Sequence, residues 1–224
     1  MRPAAALLDL ILPTFCAACG AHGEALCAGC RSRLALIKQP MCERCGAPTE
    51  WPVERCRECA GRRIAFATAR AAVAYDDAAR SLVAAWKDRG LRSIAALAAE
   101  LVSEVVTRPA AYTLTFVPSD ADRRLTRGHN PAERLAAALG KQWELPVVSL
   151  LARSPGVRPQ RGLRLAERRR NVRGVFQAAG IAPRTIALVD DVYTSGATVS
   201  AAASALRKAG ARRVEVVTFA RAVR

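Results

Sequence analysis

The chain has 224 residues, a formal net charge of +16 and a pI near 10.7. That length exceeds one typical domain, and the charge suits an anionic partner, either single-stranded DNA or a highly phosphorylated small molecule. No segment approaches the ~20 apolar residues of a bilayer span, and aromatic residues, at 5%, are too few to favour a base-stacking platform.

Residues 1–12 are apolar, but Asp9 interrupts them and no leader-cleavage site follows. The expectation is a cytoplasmic protein whose thiols stay reduced. All eight cysteines then fall as four C-x-x-C pairs: Cys16/Cys19, Cys27/Cys30, Cys42/Cys45 and Cys56/Cys59. Two-residue spacing lets both thiolates of a turn reach one tetrahedral Zn2+, so two four-cysteine sites are expected. Short intervals make consecutive pairing simplest, with Cys16, Cys19, Cys27 and Cys30 on one ion and Cys42, Cys45, Cys56 and Cys59 on the other. Crossed pairing stays open, and disulfides or redox chemistry are the competing uses of such pairs. His22 lies among the ligands, but eight cysteines already complete two sites. A unit this small has almost no core, so the metal would supply its folding free energy, on the order of 10–16 kcal/mol. A chelator is then expected to unfold residues 14–60 and largely spare the remainder.

The cysteines stop at Cys59, and residues 61–64 mark the expected boundary between a domain 1–62 and a domain 63–224. The second part is long enough for one α/β core. Residues 69–75 read as a strand, 77–88 as a helix ending before Gly90, and 92–106 as a helix stopping ahead of Pro109. Lys87 can complement the dipole of the first helix or reach a phosphate, and the dipole role is favoured. Residues 113–118 form another apolar strand candidate, followed by a loop carrying Arg123, Arg124, Arg127 and Gly128. Its guanidinium groups can hold a pyrophosphate, or the loop can be a solvated basic turn before a helix over 131–140. Asn130 would cap that helix, with Pro131 in its first turn. Residues 158–174 carry seven arginines and one glutamate. Like charges at that density suit a segment ordered by an anion or a nucleic-acid backbone, or a solvated helix face.

Residues 186–198, Ile-Ala-Leu-Val-Asp-Asp-Val-Tyr-Thr-Ser-Gly-Ala-Thr, are the most informative stretch. The apolar run suits a buried parallel strand, and Asp190 and Asp191 fall at its carboxyl end, where open α/β sheets bind ligands. Ribose hydroxyls can donate to these acids, and a magnesium ion carried by a pyrophosphate would offset their repulsion. Thr194, Ser195, Gly196, Ala197 and Thr198 can curl into a nest of N–H donors ahead of a helix over 197–209. The plainer alternative is a strand–turn–helix connection whose acids only cap the helix. A strand over 214–219 follows, implying a right-handed parallel crossover.

Residues 189–198 resemble the phosphoribosyl pyrophosphate (PRPP) motif of type I phosphoribosyltransferases. The resemblance implies Asp190 and Asp191 on the ribose hydroxyls and the loop 194–198 around the 5-phosphate. Val117-Pro118, Arg124, Arg127-Gly128, Asn130, Gln160, Arg170-Asn171, Gly174-Val175-Phe176 and the cysteine pairs extend the likeness. With them the chain resembles the ComF (competence protein F) family over nearly its whole length, departing at His129, where an aromatic is expected, and at Pro131, where Gln is. That resemblance implies an α/β fold: a type I phosphoribosyltransferase-like parallel sheet flanked by helices, behind a small double zinc ribbon. It further implies PRPP or a related phosphorylated ribose with Mg2+ as ligand, and single-stranded DNA and DNA-uptake proteins as partners in natural transformation. The alternative is an active phosphoribosyltransferase in which an unidentified acceptor displaces pyrophosphate from ribose C1. No general base stands out for that reaction, and His129 is a candidate without a defined role.

Overall fold

The computed structural model describes residues 14–91, 93–120, 125–154 and 174–223. Two compact cysteine modules with one short helix, α1 (Ala28–Arg31), lead into β1 (Thr68–Ala74), α2 (Asp77–Lys87), α3 (Ile94–Val105) and β2 (Leu114–Phe116). There follow α4 (Pro131–Trp143), β3 (Leu151–Arg153), β4 (Phe176–Ala178), β5 (Thr185–Tyr193), α5 (Ala197–Lys208) and β6 (Arg213–Arg221). The main sheet is wholly parallel in the order β1-β6-β5-β2, and β3 and β4 form a separate antiparallel pair. A parallel sheet flanked by helices is the expected class, because helical crossovers must cover both of its faces.

Alternation along β5 assigns those faces. Ala187 and Val189 join the buried cluster that contains Leu82, Trp86, Leu101 and Leu135 from α2, α3 and α4. Ile186 and Leu188 join the cluster built with Val199, Ala202 and Leu206 from α5 and Leu151 and Phe176 from the β3–β4 pair. Strand side chains point alternately to opposite faces, so each layer claims every second residue.

The element ends differ from sequence expectation at instructive places. The β5 strand does not stop at Val189 but runs through both aspartates, because β6 continues beside it, matching Asp190 with Thr218 and Tyr193 with Arg221. On its other edge β2 ends at Phe116, and the last ladder bond there runs from Val117 N to Val189 O at 3.0 Å. The two acids therefore sit on the sheet's overhang, paired on one side only. In α4, Asn130 caps as expected, its Oδ1 accepting from Ala132 N at 3.1 Å with Pro131 in the first turn. The helix runs past Gly140 because Gly140 serves packing there. A Cβ would press on Val147 and the Leu145 carbonyl, and Glu144 takes the left-handed closing position instead.

The ribbon is joined closely to the sheet. Residues 35–37 lie antiparallel beside β1, with Ile37 N donating to Ala72 O and Ala74 N donating to Ala35 O, both at 2.8 Å. Cys16, Ala17, Leu26, Cys30 and Leu34 belong to the same buried cluster as Leu82, Trp86 and Phe219. The first cysteine module thus has no separate core, whereas the second keeps a small one of Cys42, Cys45, Ala47 and Cys59. Among the described residues, no helix is long and apolar enough to cross a membrane.

Candidate functional site

The cysteines assemble as consecutive pairs. Cys16, Cys19, Cys27 and Cys30 form one group and Cys42, Cys45, Cys56 and Cys59 the other, with all four sulfurs of a group within 4.8 Å of one another. Individual Sγ···Sγ separations are 3.8 Å for Cys19–Cys27, 3.6 Å for Cys42–Cys59 and 3.4 Å for Cys45–Cys56. Zn–S bonds of about 2.3 Å in a tetrahedron place sulfurs about 3.8 Å apart, whereas a disulfide needs about 2.05 Å. The donor sets therefore fit two zinc ions and not four disulfides.

The electrostatics agree. Burial pushes the Cys16 and Cys42 thiols up, but backbone N–H donors, chiefly from Cys27 to Cys16 and from Cys45 and Cys56 to Cys42, overcome it and hold them near about 6 and about 7. Burial and neighbouring thiols push Cys30 up to about 12 and Cys59 up to about 11. Four thiolates cannot share one buried pocket without a cation, and a divalent metal supplies it.

The second centre forms where β5 overhangs β2. Asp191 follows the face of Ala187 and Val189, toward the helices, and there Lys87 from the last turn of α2 meets it, Nζ to Oδ1 2.8 Å. Both side chains are largely shielded, at 20% and 14% exposure, so the pair is worth more than a surface ion pair. Lys87 is therefore a member of the acidic site, a role its sequence position left second to dipole compensation. Asp190 accepts from Asp191 N at 2.9 Å. Burial and then the neighbouring Asp191 charge push its carboxyl up to about 8, with Lys87 opposing.

A folded-state pKa raised this far has a definite sign. Between about pH 4 and pH 8 the folded chain keeps a proton that the unfolded chain releases, so this group's contribution to stability falls as pH rises through that window. Melting curves of wild type and Asp190→Asn should diverge from pH 5 to pH 8.5, the variant melting higher by several degrees at the alkaline end. Parallel curves would show that Asp190 ionises normally.

The loop after the acids has the expected form. Gly196 adopts φ 71° and precedes α5 without capping it, which leaves the first-turn N–H groups beyond Ala197 to an anion. A Cβ there would also overlap the Tyr193 hydroxyl. Thr194 is exposed, Ser195, Ala197 and Thr198 are half-buried, and Ala197 N donates to Ser195 Oγ at 3.4 Å.

Upstream, Arg127 pairs with Asp88 at 3.3 Å, directly after Lys87, and Gly128 takes φ 67° as expected of that turn. Asn130 Nδ2 donates to Val117 O at 3.1 Å and ties the turn to the end of β2. The carboxyl end of α2 thus bridges the acidic overhang and the basic loop. His129 is buried, with Nδ1 beside the Arg127 carbonyl at 2.9 Å. It fills the place expected of an aromatic, and its Nε2 is buried with no hydrogen-bond partner among the described residues. Arg123, Arg124 and residues 158–173 lie outside the described residues.

Sequence reasoning missed the groups beneath the loop 194–198. The Tyr193 ring makes an edge contact with Phe66, and the Arg221 guanidinium lies over the same ring, 4.5 Å from the centroid. Arg62 donates to Ser195 O at 2.6 Å. Tyr193 is inside the motif and could have been flagged as its floor. The two arginines act over 133 and 176 residues respectively and carry no local signal.

Known proteins bear on these observations at two levels. Residues 7–60 match the Double zinc ribbon domain family. The chain is 27% identical over 209 residues to competence protein F of Haemophilus influenzae, covering 88% of this chain and 90% of that protein. It is 27% identical over 199 residues to competence protein ComFC of Streptococcus pneumoniae, covering 88% and 87%. A purine phosphoribosyltransferase structure from Pyrococcus horikoshii aligns with 61% of this chain and 84% of its own at 18% identity. Its TM-score of 0.29 is too low for that superposition to bear on the fold. The two sequence relationships are too long to be confined to either the ribbon or the parallel sheet. The chain is accordingly similar over most of its length to competence proteins F and ComFC, with a match to the double zinc ribbon family ahead of an α/β domain built on a parallel sheet.

Proposed function

We propose that the overhang of β5 and the loop 194–198 bind PRPP or a related phosphorylated ribose together with Mg2+, in a cytoplasmic protein that supports the handling of incoming single-stranded DNA. The observation that supports this most is the sequence of groups along one strand end. Two carboxylates, one neutralised by Lys87, lead within a few residues into a left-handed glycine and a helix start that the glycine does not cap. Carboxylates accept from a ribose diol, and N–H groups at a helix start donate to phosphate oxygens. Mg2+ would arrive on the pyrophosphate and offset the negative charge it brings beside Asp190 and Asp191. Arg127, with Arg123 and Arg124 of the same loop, would face that pyrophosphate. DNA handling rests on the relatives' names, competence protein F and ComFC, and on the net charge of +16. The division into domains 1–62 and 63–224 belongs to the same reading.

A second reading is transfer, in which an acceptor displaces pyrophosphate from ribose C1. The chain's own part would be to hold ribose and pyrophosphate in line and to stabilise the departing charge. Calorimetry with Mg2+ and PRPP on zinc-loaded protein tests the binding reading, with micromolar affinity expected. An acceptor screen by pyrophosphate release then separates a binding module from an enzyme. Failure to bind PRPP would remove both.

A further inference from the structure

The second cysteine module reaches the proposed phosphate loop by two routes. On the first, the turn at Cys56 and Cys59 sets the backbone of Arg62, whose N–H donates to the Cys59 carbonyl at 3.3 Å while its carbonyl accepts from Arg55 at 3.1 Å. The Arg62 side chain then bridges two carbonyls, that of Glu58 at 3.2 Å within the module and that of Ser195 at 2.6 Å within the loop. Close by, Ala65 N donates to Ser200 Oγ on α5 at 3.2 Å.

The second route starts at Cys45. Its carbonyl accepts from Arg221 at 2.6 Å and its sulfur lies 3.6 Å from the same guanidinium, which also meets Glu58 Oε2 at 2.7 Å. Arg221 is only 1% exposed and covers the Tyr193 ring, whose hydroxyl end lies against Gly196. A buried guanidinium held by carbonyl, carboxylate and sulfur is costly to leave without those partners. Its position is therefore set by the module that supplies them.

We infer that Arg62 and Arg221 are positioning residues through which the second zinc site shapes the phosphate loop, so that zinc at Cys42, Cys45, Cys56 and Cys59 and a ribose phosphate at residues 194–198 bind with positive coupling. The inference rests on the ribose-phosphate reading of that loop. Neither arginine needs to touch the ligand. Arg62 holds the Ser195 carbonyl turned away from the phosphate, so that the following N–H groups face it, and Arg221 braces the ring under Gly196. Linkage is reciprocal: a ligand that needs the ordered loop must also slow loss of the metal that orders it.

The test uses full-length zinc-loaded protein and ribose 5-phosphate, a probe that binds the loop without the metal-chelating pyrophosphate of PRPP. Calorimetry gives its affinity, and transfer of zinc to a chromophoric chelator gives a release rate for each module, with Cys19→Ser identifying the phase that belongs to the second. Ribose 5-phosphate is expected to slow second-site release severalfold in wild type. Arg62→Ala should bind the sugar phosphate roughly tenfold more weakly, the scale of one charge-assisted hydrogen bond, and should lose that protection. Arg62→Lys should recover part of both, and Arg63→Ala, at an exposed neighbouring position, should change neither. If Arg62→Ala binds like wild type, or if ribose 5-phosphate leaves wild-type zinc release unchanged, the coupling is wrong while the binding site stands. If wild type binds neither ribose 5-phosphate nor PRPP, the function reading fails and this inference with it.

Discussion

Cys45→Ala is expected to halve the zinc content and to melt the second cysteine module at a temperature where wild type is intact. Residues 42–59 bury little beyond Cys42, Cys45, Ala47 and Cys59. Apolar burial at about 25 cal/mol per Å2 cannot hold so small a unit against chain entropy. A structural zinc ion supplies on the order of 10–16 kcal/mol in comparable small folds, and losing one of four thiolates forfeits most of it. The damage should not end at the module. Arg221 in β6 would lose the ordered Cys45 carbonyl and the Glu58 carboxylate around a buried charge, a loss of about 3–5 kcal/mol when a buried pair is broken. Hydrogen exchange should therefore quicken at residues 219–222 and 193–197 as well as at 42–59, while α3 and α4 stay protected. A broad chelator should go further, because the first module shares its buried cluster with α2. The expectation that the chain beyond residue 60 would be largely spared thus gives way to selective loosening of the sheet's ribbon-facing side. Exchange confined to residues 42–59 in Cys45→Ala would show that Arg221 does not transmit the loss.

Asp190→Asn/Asp191→Asn should abolish measurable binding of PRPP with Mg2+ without unfolding the protein. Each ribose hydroxyl held by a carboxylate contributes a charge-assisted hydrogen bond of about 1.5–3 kcal/mol. Losing two costs roughly two to four orders of magnitude in affinity. The double variant also leaves Lys87 with an amide in place of Asp191, and because that pair is largely shielded its loss costs more than breaking a surface ion pair. It relieves the carboxyl that burial and Asp191 hold near about 8 in Asp190. The two effects oppose each other, so the melting temperature at pH 8 should change little while binding disappears, which separates this loss from misfolding. Retained affinity would move the ligand off the β5 overhang. Loss of binding together with a collapse in melting temperature would make the acids structural.

Much of the site was legible because its parts are neighbours in the chain. A strand rich in Ile, Leu and Val, two aspartates and a glycine-centred loop lie within residues 186–198. Backbone propensity and alternation act at that range, so the strand, the loop and the start of α5 could be placed from the sequence. Asn130 as a cap and Gly128 in its turn were legible for the same reason. The strand ends were not, since β5 continues through Asp190 and Asp191 only because β6 offers hydrogen-bond partners as far as Arg221.

The cysteine spacing by itself determined that there are two four-sulfur sites, because a two-residue gap brings both thiols of a turn to one point. Which pairs share a site was a matter of chain folding, settled by sulfur positions within 4.8 Å. Only the tertiary structure brought Lys87 to Asp191, Arg62 to Ser195 and Arg221 to Cys45 and Tyr193. A long cationic side chain carries no local signal of its partner. Its pairing is decided when packed helices and strands bring distant backbone carbonyls and carboxylates within reach and remove the water that would otherwise satisfy them.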